Sequence, residues 1–184
     1  MLRLLSLPLA FAVALAGLSP AAAHQHHNHG DPDAPFFIVA ELNLERYAGH
    51  WYEIARFPNR HQRNCNAIMA EYSTRRDGNF DVRGTCPDRR PGRDRRTMEG
   101  VARLDGPAEL SIGLTSWMPL FRRTVFVLGI SEDYQVAVVG EPSRRYGWIM
   151  ARSQQISPAQ FDRAAQVLAR NGYRIEYLEH LVAD

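Results

Sequence analysis

The chain has 184 residues, 45% of them hydrophobic, and a formal charge of +2 carried by 22 basic residues, all arginine, against 20 acidic ones. So small an excess excludes a protein that works through its overall field, and leaves charge to act through its placement. The length accommodates one domain with a sizeable core, and no long linker marks off a second.

Residues 1–23 read as a secretory signal peptide. Arg3 supplies the positive start, Leu4 to Leu18 the apolar run, and Ala21-Ala22-Ala23 a small-residue cleavage site. The run is too short for a membrane span, and no cysteine follows it directly, so a periplasmic or secreted protein without a lipid anchor is expected. Residues 24–37 (HQHHNHGDPDAPFF) are polar, His-rich and broken by Pro32 and Pro35, the composition of a mobile arm. After cleavage at Ala23, His24 would carry the free amine and His26 the imidazole of a square-planar Cu(II) or Ni(II) site. The simpler reading of the arm is a solvated linker, and no resident cofactor is expected. Residues 38–184 form the remaining domain.

The run LERYAGHWYE, residues 44–53, is a one-turn apolar segment passing through Gly49 into an aromatic strand start at Trp51. Strand patterns then recur at 51–57, 66–75, 79–86, 96–104, 108–115, 123–131, 134–140 and 146–152. Turn signals such as Asp77-Gly78 and Asp105-Gly106-Pro107 separate them. Cys65 and Cys86 flank the hairpin at Asp77-Gly78, and an oxidising compartment pairs them as a disulfide worth about 3 kcal/mol. One helix follows: Ser157 and Gln160 form its capping box, Pro158 is its first residue, and Gly172 stops it. A last short strand is expected over 174–178. Eight successive antiparallel strands suit a closed barrel holding one small ligand, and a β-sandwich satisfies the same periodicity.

Gly49-x-Trp51 opening the first strand, Asp133-Tyr134 between the sixth and seventh, and Arg152 closing the eighth resemble the three signature blocks of the lipocalins. LERYAGHWYEIARFPNR, AEYSTRRDGNFDV, EGVARL and the Ser157-capped helix are similar to the bacterial lipocalin and apolipoprotein D branch, over about residues 42–180. The resemblance implies an all-β fold, an eight-stranded antiparallel up-and-down β-barrel with one C-terminal α-helix packed outside. It implies binding of lipids or other hydrophobic small molecules, no enzymatic activity, and a structural plug in which Arg152 stacks over Trp51 beside Gly49. The lipid-anchoring cysteine of many bacterial members is not matched here, so tethering is not expected.

Within such a barrel, alternation supplies an inward list. The second to fourth strands contribute Ile68, Ala70 and Tyr72, then Phe80 and Val82, then Met98 and Ala102. The fifth contributes Leu110, Ile112 and Leu114, and the sixth Val125 and Val127. The last two contribute Val136 and Val138, then Tyr146, Trp148 and Met150. This lining is apolar, carries no inward Asp, Glu or His, and is hollowed by Ala70, Gly84, Gly100 and Gly129. It suits an acyl chain, each buried methylene contributing about 0.8 kcal/mol. Alternate loops share one end, which gathers eleven arginines at the mouth against Asp88, Asp94 and Glu141. Arg60, Arg63, Arg122, Arg123 and Arg144 are the expected head-group contacts, and Trp117 with Phe121 would dip into an anionic membrane surface.

The expected function is a carrier of fatty acids or lysophospholipids. The alternatives are a haem or other tetrapyrrole carrier with His61 as axial group, and a thiol-dependent isomerase using Cys65. Nucleic acid is not an expected partner, because RRPGRDRR lacks interleaved aromatics. A homodimer is left open.

Overall fold

A computed structural model describes residues 29–66, 68–114 and 122–181. The expected signal peptide, His24, His26, Trp117 and Phe121 lie outside the described residues, as does the side chain of Leu114.

A single helical turn, α1 (Leu44–Tyr47), is capped by the Asn43 side chain accepting from the Arg46 N–H. Gly49, at φ 97°, turns the chain into β1 (Gly49–Arg56); a side chain there would press on the Arg152 guanidinium. The wall continues through β2 (Met69–Thr74), β3 (Phe80–Cys86), β4 (Arg96–Leu104) and β5 (Glu109–Leu114). It is completed by β6 (Arg122–Ile130), β7 (Val136–Gly140) and β8 (Gly147–Ala151). Each strand pairs antiparallel with the next, and β1 closes the ring by pairing with both β2 and β8. The closed eight-stranded barrel therefore stands, and the sandwich does not.

Helix α2 (Pro158–Arg170) packs outside the barrel, entered through the Ser157–Gln160 capping box. Its buried Ala164, Ala165 and Leu168 share a core with Ile54, Leu128 and Ile149 on the outer wall. Beyond it, a strand over 174–178 is not formed. Ile175–Tyr177 make a 3-10 turn, and the strand is displaced to β9 (Glu179–His180), which pairs with the end of β1. The exposed Ile175 and Tyr177 imitate strand alternation without a partner to pair with.

Two further expectations are overturned. Val136 and Val138 point outward beneath α2, and Ala137 and Val139 face the lumen. Every residue of β7 is buried, because the barrel core covers one face and α2 the other, so alternation carries no information there. For the same reason Gly129 does not hollow the lumen: it faces Val167 of α2, and a Cβ would meet that side chain at 3.0 Å.

The arm is not free over its described part. Residues 29–37 are docked, with the His29 N–H donating to Arg144 O at 3.1 Å, Asp31 to Gly172 O at 2.9 Å and Phe37 to the Asn171 side chain at 2.6 Å. The clamp is Arg144, only 1% exposed. It donates to the carbonyls of Asn171 (2.9 Å), Pro32 (3.1 Å), Ala34 (2.6 Å), Pro35 (3.2 Å) and Pro142, and lies over the Phe36 ring. The expected head-group residue is therefore spent on holding the arm.

Candidate functional site

The closed end is sealed by side chains. Arg152 lies 3.8 Å above the Trp51 ring and donates to the carbonyls of Arg46 (2.6 Å), His50 (2.9 Å), Tyr47 (3.1 Å) and Tyr134 (3.3 Å). Trp51 Nε1 donates to Tyr47 O at 2.8 Å. One guanidinium thus ties α1, β1 and the β6–β7 turn to the end of β8. Arg152→Ala is expected to lower stability by about 2 kcal/mol, the scale of a cation–π contact plus lost charge-assisted bonds. Ligand affinity should stay unchanged, and calorimetric melting beside a binding titration checks both.

Above this plug the inward side chains grade from packed to open. Tyr47, Trp51, Phe80, Ala102, Leu110 and Val127 are completely covered, whereas Ala70 and Val82 retain 8% exposure and Met98, Ile112 and Trp148 are only half-buried. These residues face the inside of a closed wall, so their exposure comes from a lumen opening upward. Ile68 packs with Met98 against the Cys65–Cys86 disulfide, and Val125 and Met150 complete the apolar lining. Both cysteines are oxidised, so the thiol that an isomerase reading requires of Cys65 does not exist.

The lumen does contain an acidic group, contrary to the expectation of none. Trp51 and Glu53 face inward by alternation, and a bulge between Glu53 and Ala55 brings Arg56 inward as well, with Glu53 opposite Met150 and Arg56 opposite Trp148. Glu53 and Arg56 form a buried pair at 3.0 Å. Arg56 also donates to Gln62 O at 3.1 Å and Cys65 O at 2.8 Å, and the Gln62 amide donates to Glu53 at 2.6 Å. Trp148 Nε1 donates back to Gln62 Oε1 at 3.3 Å. This cluster lashes the β1–β2 loop to the rim. Burial raises the Glu53 carboxyl above its ordinary range, opposed by Arg56 and by hydrogen bonds from Gln62 and the Ile68 N–H. A two-residue step from Trp51 lands on Glu53, so the strand period points to it; the bulge that brings in Arg56 leaves no mark in the pattern.

The expected mouth arginines do not share one role. Arg123, opposite Ile112 on β6, faces the mouth; its guanidinium sits 3.9 Å from the Tyr146 ring centroid and 3.5 Å from Glu141. Tyr146 stacks on Trp148 at 6.1 Å, with the His61 ring 6.4 Å away. Arg122 points the other way, across the outer wall: Nε donates to Ser111 Oγ at 2.7 Å and Nη2 to the carbonyls of Ser111 and Val101, because it pairs with outward Gly113. Arg144 holds the arm. Arg60 and Arg63 are exposed on the β1–β2 loop, with Arg60 3.4 Å from His61. Burial, followed by the fields of Arg60 and Arg123, lowers the His61 pKa. On the β3–β4 loop, Arg90 is paired with Asp88 at 2.6 Å, and at the start of β4 Arg96 rests against both disulfide sulfurs.

A floor plugged by side chains, an apolar lumen and a rim with an inward guanidinium are the parts of a barrel suited to small hydrophobic ligands. Residues 42–183 match the family described as Lipocalin-like domain. The chain belongs to the lipocalin family.

Among relatives, it is 30% identical over 174 residues to the outer membrane lipoprotein Blc of Citrobacter freundii, covering 94% of each chain. It is 34% identical over 151 residues to temperature-induced lipocalin-1 of Arabidopsis thaliana, covering 77% of this chain and 79% of that one. Insecticyanin of the tobacco hornworm Manduca sexta shares the fold with a TM-score of 0.68 at 15% identity, covering 82% of this chain and 86% of that one. The cockroach allergen Per a 4 does so with a TM-score of 0.65 at 20% identity, over 84% and 97%.

Proposed function

We propose that the protein is a periplasmic or secreted carrier of anionic amphiphiles, fatty acids or lysophospholipids, and that it works by binding rather than by catalysis. The observation that carries this reading is the inward Arg123 on the Tyr146–Trp148 stack, directly above an apolar wall. An acyl chain entering there exchanges water for Met98, Ile112 and Val82, while its anionic end stays with a guanidinium able to bond it bidentately. The head-group role rests on Arg123, with Arg60 and Arg63 at the rim. The name of the Citrobacter freundii relative, an outer membrane lipoprotein, favours an envelope location.

Trp148 supplies the test. Titration of the purified mature protein with oleate should change its fluorescence saturably, at a stoichiometry of one. Arg123→Glu should weaken binding by about tenfold or more, the loss of one charge-assisted contact. Non-saturable binding, or equal affinity in the variant, overturns the reading.

A further inference from the structure

On the outside of the barrel, α2 does not close fully against the wall. A groove of about 520 Å³ lies between α2, the outer faces of β6 and β7, and Val39 of the arm, a volume within the range of small-molecule sites. Leu128, Val136 and Val138 make its floor, and Val39 and Val167 its sides. The three floor residues belong to the core shared with α2 and not to the lumen lining.

The two ends of the groove differ in charge. Towards the closed end of the barrel, Asp133 accepts from Ser131 Oγ and from the Gln135 N–H, bonds that hold its carboxyl below the ordinary range. Towards the mouth stands Arg170, on the last turn of α2, with Arg163 two turns earlier on the same edge. Neither guanidinium makes an ion pair or hydrogen bond with another described residue. Those of Arg122, Arg144 and Arg152, by contrast, are taken up by carbonyls. Phe37, 58% exposed, is held beside Arg170 by its bond to the Asn171 side chain. An apolar trough therefore ends in a cation without a partner and an uncovered ring.

We infer that this groove is a second ligand site, taking one medium-chain carboxylate with its anion at Arg170 and its chain lying past Val167 and Arg163 towards Ala164. Charge and surface set the class: the unpaired guanidinium can bond a carboxylate bidentately, and the apolar floor covers an alkyl chain. Asp133 sets the direction, because its charge repels a carboxylate from the other end. From Gln160 to Arg170 the helix rises about 15 Å, which limits the chain to about ten carbons. The site shares no residue with the lumen, so it is independent of the carrier reading.

Decanoate titrated into the mature protein, followed by calorimetry and by Trp148 fluorescence, separates the two sites, since that indole faces the lumen. Calorimetry should count two equivalents and fluorescence one. Arg163→Gln/Arg170→Gln should weaken the fluorescence-silent equivalent by about tenfold and leave the fluorescence titration unchanged. Arg123→Glu should do the reverse. Arg170→Gln alone supplies the result if the double variant does not fold. A single equivalent by calorimetry, with the fluorescence change intact, overturns the groove and leaves the carrier reading standing. So does a silent equivalent that binds equally well to Arg163→Gln/Arg170→Gln. A silent equivalent lost in that variant, with no fluorescence change in any protein, upholds the groove and overturns the carrier reading instead.

Discussion

Glu53→Ala should destabilise the protein by about 3–5 kcal/mol, because it leaves the Arg56 guanidinium buried without its counter-ion and the Gln62 amide without its acceptor. At this chain size each kcal/mol moves Tm by about 2–4 °C, so the loss is measurable by thermal or urea unfolding. The cost belongs to breaking the pair and not to its net worth. The raised Glu53 pKa means that desolvation outweighs the attraction of Arg56. Replacing both residues, Glu53→Leu with Arg56→Leu, should therefore recover most of the stability. The sign of the pH dependence follows. A carboxyl whose folded pKa is raised contributes stability that is fully present below its unfolded pKa and is lost as pH rises through the folded value. The advantage of the unaltered protein over Glu53→Gln should narrow as pH climbs out of the ordinary carboxylate range. A gap that widens instead would place Glu53 outside the buried pair.

Arg144→Ala is expected to cost about 3–4 kcal/mol and to release the arm. Five backbone carbonyls from the arm, the β7–β8 turn and the end of α2 converge on this side chain, and Ala supplies no donor. Water replaces some of these bonds, so the total stays near the value of two charge-assisted hydrogen bonds. Hydrogen exchange separates this outcome from general loosening: the amides of His29, Asp31 and Phe37 should lose protection while those of β3 and β4 keep it. Lysine should not rescue, since a single ammonium cannot reach carbonyls on several sides.

What was legible in the sequence follows from what is local. The spans of the eight barrel strands, their turns and the capping box of α2 depend on neighbours within a few residues, and they stand within about three positions of the alternation that marks them, whereas the strand expected over 174–178 does not form. The lumen-facing residues of β2, β3 and β5 were legible because apolar and polar side chains alternate there, whereas on β6 the outer face also carries Phe126 and Leu128 beneath α2. VAVVG, the whole of β7, offered no such contrast, since both its faces are covered. Charge was the least legible property. Arg122, Arg123 and Arg144 look alike as residues on mouth loops, yet one lies on the outer wall, one faces the lumen and one holds the arm. Those fates depend on strand parity and on contacts from segments more than a hundred residues away.

The wall changes fabric part-way up its closing strand. Below Glu53, β1 is joined to β2 by backbone pairing from Gly49 to Tyr52, which is indifferent to side-chain identity. Above it, the join to the loop leading into β2 passes through Glu53, Arg56, Gln62 and the carbonyl of Cys65. The two halves of this seam must respond differently to sequence drift. Positions along the lower half can change one at a time, within the limits of packing. Those along the upper half can change only as a set, so this short stretch of rim should be the slowest part of the barrel to diversify, whatever ligand the lumen comes to hold.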